Sequence, residues 1–205
     1  MNKEDFLSQP EREFENEQFR NLEITESIIL SKEFIDCSFE DCNFSQSTFK
    51  SCTFQNCTFG KCNFSLVKIP NCQFNEVTFN SSKIIGIDWT VANWKKLMNK
   101  KAFPIVFKDS VINYSIFIGL NLTRAKFIKC IAREVYFEEV NLTSADFSDT
   151  DLTDSVFRDS SLLETDLSKA KNYRIDVTKN NISKAKFSFP EAISLVYALD
   201  IEIVE

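Results

Sequence analysis

Apolar residues recur at every fifth position along most of this chain. From Phe14 the steps are Phe19, Ile24, Ile29, Phe34, Phe39, Phe44, Phe49, Phe54, Phe59, Phe64, Ile69, Phe74, Phe79, Ile84, Trp89 and Trp94: 17 positions, all apolar. A second ladder starts at Phe107 and runs through Ile112, Phe117, Leu122, Phe127, Ala132, Phe137, Leu142, Phe147, Leu152, Phe157, Leu162, Leu167, Asn172, Val177 and Ile182 to Phe187, with 16 of 17 apolar. A period of five fits neither a helix at 3.6 nor a strand at 2. It predicts a coil of short straight pieces with a corner after each. The residue two before each central one is mostly small, so each pentad sends one large and one small side chain inward and leaves three positions for polar residues.

Composition sharpens this picture. Of 21 phenylalanines, 18 lie in the two ladders, while there are only 3 glycines and 4 prolines. Turns in that number normally draw on both residues, so the corners must be built from ordinary side chains. All seven cysteines (Cys37, Cys42, Cys52, Cys57, Cys62, Cys72 and Cys130) occupy the small inward position.

The segment ADFSDTDLTDSVFRDSSLLETDLSKA resembles the A(D/N)LXX repeat of the pentapeptide-repeat proteins. The resemblance runs from about Phe19 to Phe187. It implies an all-β fold, a right-handed quadrilateral β-helix of roughly eight coils with 20 residues per coil, stacked at about 4.8 Å into a rod about 40 Å long. Phe34, Phe54, Phe74 and Trp94 then form one column, and Phe39, Phe59 and Phe79 another.

The breaks set the expected boundaries. Residues 1–18 are read as an N-terminal lead-in or cap, because Arg12 and Glu17 would be inward small residues if the coil began at Phe14, and unpaired buried charge is costly. Lys32 is misplaced for the same reason and predicts a bulge. Residues 19–94 form the first section and 107–187 the second. Between them, 95–106 is read as a projecting loop with Lys95, Lys96, Lys100, Lys101 and Phe103 as contact candidates. The second ladder fails at Asn172 and Asn180, which predicts an irregular last coil. Residues 188–205 are read as a helical cap: Pro190 and Glu191 suit a helix start, and Ala192, Ile193, Val196, Tyr197 and Leu199 have helical spacing, after which Leu199, Ile201 and Ile203 alternate. Ile193, Val196, Tyr197, Leu199 and Ile201 are the candidate cap and dimer residues, since an open coil end needs covering. In the topoisomerase-binding members that this chain resembles, a C-terminal element also joins two copies, which implies a homodimer.

Chemistry is constrained by what is missing. With no histidine, the commonest general base and metal ligand are absent. Cysteines five apart fall on successive sides of the coil and do not converge as a zinc site requires; stacked parallel thiols do not supply disulfide geometry either. They are read as small packing residues. No catalytic, metal or cofactor residue is assigned, and the chain is read as a non-enzyme. The charged N-terminus and the lack of a long apolar run predict a cytoplasmic protein without membrane association.

Net charge is −6, but residues 1–44 carry −8, 45–133 carry +10 and 134–205 carry −8. Glu134, Glu138, Glu139, Asp146, Asp149, Asp151 and Asp154 follow one another without an intervening base and are the candidate acidic partner face. Two functions are open: a protein-interaction scaffold of unknown partner, or, as the resemblance to Qnr-like quinolone-resistance proteins implies, a DNA-mimic protector of DNA gyrase or topoisomerase IV. Direct nucleic-acid binding is not expected, although the basic middle departs from a uniform mimic.

Overall fold

Most ladder residues sit at the centre of a short strand or next to a bridge, and these pair in parallel, mostly with positions 20 residues along, but 28 along at Phe79 and Phe107 and 18 along at Phe157 and Ile175. Phe14 faces Phe34, Phe34 faces Phe54 and Phe54 faces Phe74; Phe19, Phe39, Phe59 and Phe79 form the next such series. The computed structural model describes residues 6–7, 12–94, 105–199 and 201, and these wind into an all-β right-handed solenoid of about eight turns with a short C-terminal helical element. The rod has four sides. Side I is centred on Phe14, Phe34, Phe54, Phe74, Leu122, Leu142 and Leu162. Side II is centred on Phe19, Phe39, Phe59, Phe79, Phe107, Phe127, Phe147, Leu167 and Phe187, side III on Ile24, Phe44, Phe64, Ile84, Ile112, Ala132 and Leu152, and side IV on Ile29, Phe49, Ile69, Trp89, Phe117, Phe137, Phe157 and Ile175.

The corners explain how so few glycines suffice. The residue three before each centre adopts a positive φ, from Asn16 at 57° through Leu66 at 59° to Glu164 at 58°, and only Gly86 and Gly119 are glycines. A left-handed non-glycine residue costs roughly 1 kcal/mol. The geometry is held because each corner N–H donates to a carbonyl of the next coil, as in Asn21 to Glu40 at 3.0 Å and Asn56 to Asn75 at 2.8 Å. These bonds run along the rod axis, so the stack over-determines each corner.

The interior is a column of large apolar side chains on each side, aromatic along most of side II and much of sides I and IV. Coil spacing forces rings on one side to stack, as Phe39 on Phe59 and Phe127 on Phe147, both at 4.7 Å. The turn between sides forces neighbours within a coil edge to face, as Phe34 against Phe39 at 75°. Both arrangements suit the ring quadrupole and contribute about 0.5–1.5 kcal/mol per pair beyond burial. The small inward residues link coils. Ser155 Oγ accepts from Val135 N–H and donates to the Ala132 carbonyl; Ser82 does the same with Cys62 and Phe59.

Several boundaries differ from the sequence reading. The strand Glu13–Glu15 pairs with Glu33–Ile35 and Phe14 is buried, so the ladder enters the segment read as a lead-in. Arg12 and Glu17 are exposed, because at the end of the rod no preceding coil encloses them. Lys32 is buried without a bulge: its strand keeps the 20-residue register, and its ammonium lies 5.1 Å from the Phe14 ring centroid and 6.0 Å from that of Phe6. A cation over an aromatic face is favourable.

The second ladder begins before residue 107. Ile105 is already buried and Val106–Lys108 pairs with Thr78–Asn80, so the excursion ends before Ile105. Phe79 stacks on Phe107 at 5.3 Å and Trp89 on Phe117 at 5.7 Å. The core therefore continues across the insertion. Trp94 is only half-buried and tilts against Phe74 at 6.4 Å. In the last coil Asn172 is exposed and Val177 is half-buried; Tyr173 and Ile175 fill the core instead, with Ile175 opposite Phe157. Asn180 is buried and satisfied, its amide donating to the carbonyls of Phe157 and Asp176.

Candidate interaction surfaces

Because the interior is filled, ligands and partners must meet the four sides, the corners or the ends. The buried thiols offer no site. Each Sγ donates to a carbonyl, and burial pushes the Cys57 and Cys130 thiols up to about 12, which keeps them protonated and unreactive. Among the described residues no three His, Cys, Asp or Glu side chains come together as a metal site, and no helix is long and apolar enough to cross a membrane.

The seven acids do not share a face. Asp146 is on side II, Asp149 at the corner between sides II and III, Asp151 on side III, Glu134 and Asp154 at the corner between III and IV, Glu138 on side IV, and Glu139 at the corner between IV and I. They form a band around two adjacent coils. The physical reason is that a run of consecutive residues in a solenoid circles the rod, whereas a face is built from residues 20 apart. Two of the seven are paired: Glu138 with Arg158, and Asp151 with Arg133 at 2.7 Å. Burial works against ionisation of Asp151. Hydrogen bonds from Thr153 and Asn172 and the Arg133 contact overcome it and hold the carboxyl at about 2.

The basic middle has a side as well. Lys108, Arg124 and Lys126 lie on side II and its corner, with Lys129 at the next corner. Lys95, Lys96, Lys100, Lys101 and Phe103 lie outside the described residues.

The tail is helical, as the spacing predicts, and it is wound as a 3-10 helix, Glu191–Leu199. At three residues per turn, side chains three apart eclipse, so three rows result. Ala192, Leu195 and Ala198 make one; Leu195 packs against the core, and the two alanines let the helix seat closely. Ile193, Val196 and Leu199 make the second, with Ile193 and Leu199 exposed beside Phe189 and Ile201. Glu191, Ser194 and Tyr197 make the third. Tyr197 is thereby separated from Ile193, and with Ser194, Tyr173 and Asp176 it lines a cleft of about 780 Å³ between the helix and the last coil.

One feature escaped the reading by fives. Among the described residues, eight large apolar side chains of the rod itself are exposed, and seven are on side IV or its corners: Ile28, Leu30, Leu66, Val91, Tyr114, Ile118 and Tyr136. Taking every twentieth residue from Ile116 finds the centre of this surface, the row Ile116, Tyr136 and Val156.

Comparison with known proteins agrees with this geometry. The family described as a pentapeptide repeat region matches residues 32–101, and that described as pentapeptide repeats in eight copies matches residues 121–159 and 136–171. No curated protein matches the sequence. Among solved structures, QnrB1, a plasmid-mediated fluoroquinolone resistance protein, is similar with a TM-score of 0.61 at 18% identity, over 94% of this chain and 90% of that one. HetL from the cyanobacterium Nostoc sp. strain PCC 7120, a pentapeptide repeat protein involved in heterocyst differentiation regulation, is similar with a TM-score of 0.57 at 12% identity, over 86% of this chain and 87% of that one. At these identities the likeness is one of fold. The five-residue ladder has become a four-sided coil in which the matched repeats follow one another side by side, and the chain belongs to the pentapeptide-repeat family.

Proposed function

We propose that this rod is a non-catalytic binding protein of the cytoplasm that acts on a type II DNA topoisomerase, DNA gyrase or topoisomerase IV, as a mimic of duplex DNA. The observation that carries this reading is the acidic band. A duplex presents phosphate around its whole circumference, and a protein that competes for a basic DNA-binding surface must do likewise. Carboxylates on sides II, III and IV and on three corners of two adjacent coils meet that requirement better than a flat acidic face does. The similarity in fold to QnrB1 supports the same reading, as does the exposed row Ile193 and Leu199: a second copy joined there brings two acidic bands toward the middle of one longer rod.

A supercoiling assay with purified gyrase tests the proposal. The protein should relieve fluoroquinolone inhibition at micromolar concentration, and reversing Asp149 and Asp154 to lysine should abolish the effect. The absence of both protection and inhibition of gyrase at those concentrations rejects it. A scaffold with an unrelated partner is the second reading, favoured by the basic cluster Lys108, Arg124, Lys126 and Lys129, which a uniform mimic does not require.

A further inference from the structure

Side IV differs from the other three sides in carrying most of the rod's exposed large apolar residues. Its outward rows carry Ile116, Ile118, Tyr136 and Val156 on consecutive coils. Outward positions on a solvated solenoid are normally polar, and single exposed apolar residues need no explanation; seven of eight gathered on one side do. Toward the N-terminus lies a cleft of about 440 Å³ lined by Leu66, Val67, Pro70, Gly86 and Val91 together with Lys68 and Asp88. Leu66 folds toward Gly86, where an added Cβ would come within 2.9 Å of it. Toward the C-terminus lies the cleft beside Tyr197, whose lining includes Asp154, Arg174 and Ile175. Between the two clefts the apolar outward surface is the stretch Ile116, Ile118, Tyr136 and Val156; nearer the N-terminus side IV carries Thr48, Lys50, Lys68, Asp88 and Thr90.

The charges beside it are arranged. Glu134 and Asp154 stack on the corner along one edge, and Glu139 and Asp159 on the corner along the other. Tyr136 and Val156 lie between these two acidic rails. The nearby base, Arg158, is engaged by Glu138.

We infer that side IV is a docking groove for a cationic amphipathic helix of a partner protein. Such a helix rises about 5.4 Å per turn, close to the coil spacing of about 4.8 Å, so apolar side chains one turn apart reach successive coils and drift by less than about 2 Å over three turns. Its apolar stripe covers Ile116, Tyr136 and Val156, and lysines or arginines flanking the stripe on both sides meet the two rails. Recognition of this kind takes an amphipathic helix into an apolar groove, with the rim charges selecting the sign of the partner. The groove shares Glu134, Glu139 and Asp154 with the acidic band, but it does not depend on the partner being a topoisomerase.

The test uses the full chain and a fluorescein-labelled Leu/Lys amphipathic helix of roughly 18 residues, five turns, followed by fluorescence anisotropy. Saturable binding is expected, with a peptide of the same composition but scrambled order binding at least about tenfold more weakly, the scale of a lost anchor. Ile116→Ser with Tyr136→Ser should weaken binding about tenfold, as should Glu134→Lys with Asp154→Lys. Asp146→Lys with Asp149→Lys, off this side, should leave it within about twofold. All these side chains point outward, so unchanged circular dichroism and melting establish that the coil is intact. The inference is overturned by absence of saturable binding, by equal binding of the scrambled peptide, or by equal loss on reversing the off-side acids. The last result would mean that net charge alone attracts the peptide.

Discussion

The Cys57 thiol reaches back across one coil to donate to the carbonyl of Phe34 at 3.3 Å. Elsewhere a serine or threonine hydroxyl holds the same place, as Thr165 does toward Leu142 at 2.8 Å. At these places a small side chain with one donor ties one coil to the next, whereas Val67, Val77 and Val135 fill the same inward position with no donor. Cys57→Ser should be tolerated within about 1 kcal/mol, since the hydroxyl keeps the bond. Cys57→Val removes the donor and adds a branch to a filled core, and should cost about 1–3 kcal/mol. Urea melts distinguish the two. In the same preparations Ellman's reagent should find the seven thiols unreactive in the native protein and all seven reactive once it is unfolded.

Lys129 holds a corner at φ 53°. Glycine adopts that conformation without strain, so Lys129→Gly should stabilise the rod by up to about 1 kcal/mol, less whatever entropy glycine adds to the unfolded chain. Gly119 is the mirror case: at φ 72° an added Cβ meets nothing within 4 Å, so Gly119→Ala isolates the backbone term and should cost about 1 kcal/mol. Thermal melts of both variants check the pair. A loss on Lys129→Gly larger than the loss on Gly119→Ala would mean that the side-chain stem, and not the backbone, dominates at corners.

The acid limb of stability should involve Asp151. Its carboxyl lies at about 2 in the folded protein against an ordinary 3.8. A depressed folded pKa contributes stability that is present above pH 4 and lost as pH falls through 4 toward 2. The carboxylate pairs with a half-exposed Arg133 at the rod surface, where solvent screens the pair, so the contribution is below about 1 kcal/mol. Asp166 is depressed too, with burial opposing and Ser168 and Lys186 favouring the charged form. Asp151→Asn should flatten the profile between pH 4 and 2 and leave stability at pH 7 slightly lower. Urea titrations at three pH values would show it; an unchanged slope means that other carboxylates carry the acid limb.

How much of this was legible follows from the length scale of each feature. The coil, its inward rows and the role of the cysteines are written in a local period of five, because a side of the rod is five residues long. The irregular last coil was visible as Asn172, but its repair by Tyr173 and Ile175 was not, since that depends on which neighbour the Phe157 column can accept. The acidic face was misread for a geometric reason: contiguous residues such as Glu134 to Asp154 encircle a solenoid. Outward surfaces appear only at a spacing of 20, and across the insertion 28, as Phe79 and Phe107 show. The helical tail was legible in its apolar spacing, but its 3-10 winding was not, because 3-10 and α-helices share their apolar content and differ only in which side chains eclipse.

That difference carries the last prediction. In the 3-10 arrangement Ile193, Val196 and Leu199 stand in one row and Tyr197 in another; in an α-helix Tyr197 stands over Ile193, four residues before it. If two copies join through the tail, the exposed row Ile193 and Leu199, with Phe189 and Ile201 beside it, is what they bury. Ile193→Ser with Leu199→Ser should then halve the mass measured by light scattering after size exclusion. Tyr197→Ser should leave the mass at that of the wild type, because its row turns toward the cleft beside Tyr173. Neither change reaches Leu195, which anchors the helix to the core, so the melting of the rod should stay within a few degrees of the wild type in the monomeric variant. A wild-type chain that already runs at monomer mass rejects the dimer and leaves the tail as the cap of a single rod. A dimer broken by Tyr197→Ser alone instead places the contact on the cleft side of the helix, and then the acidic bands of two copies meet across that cleft.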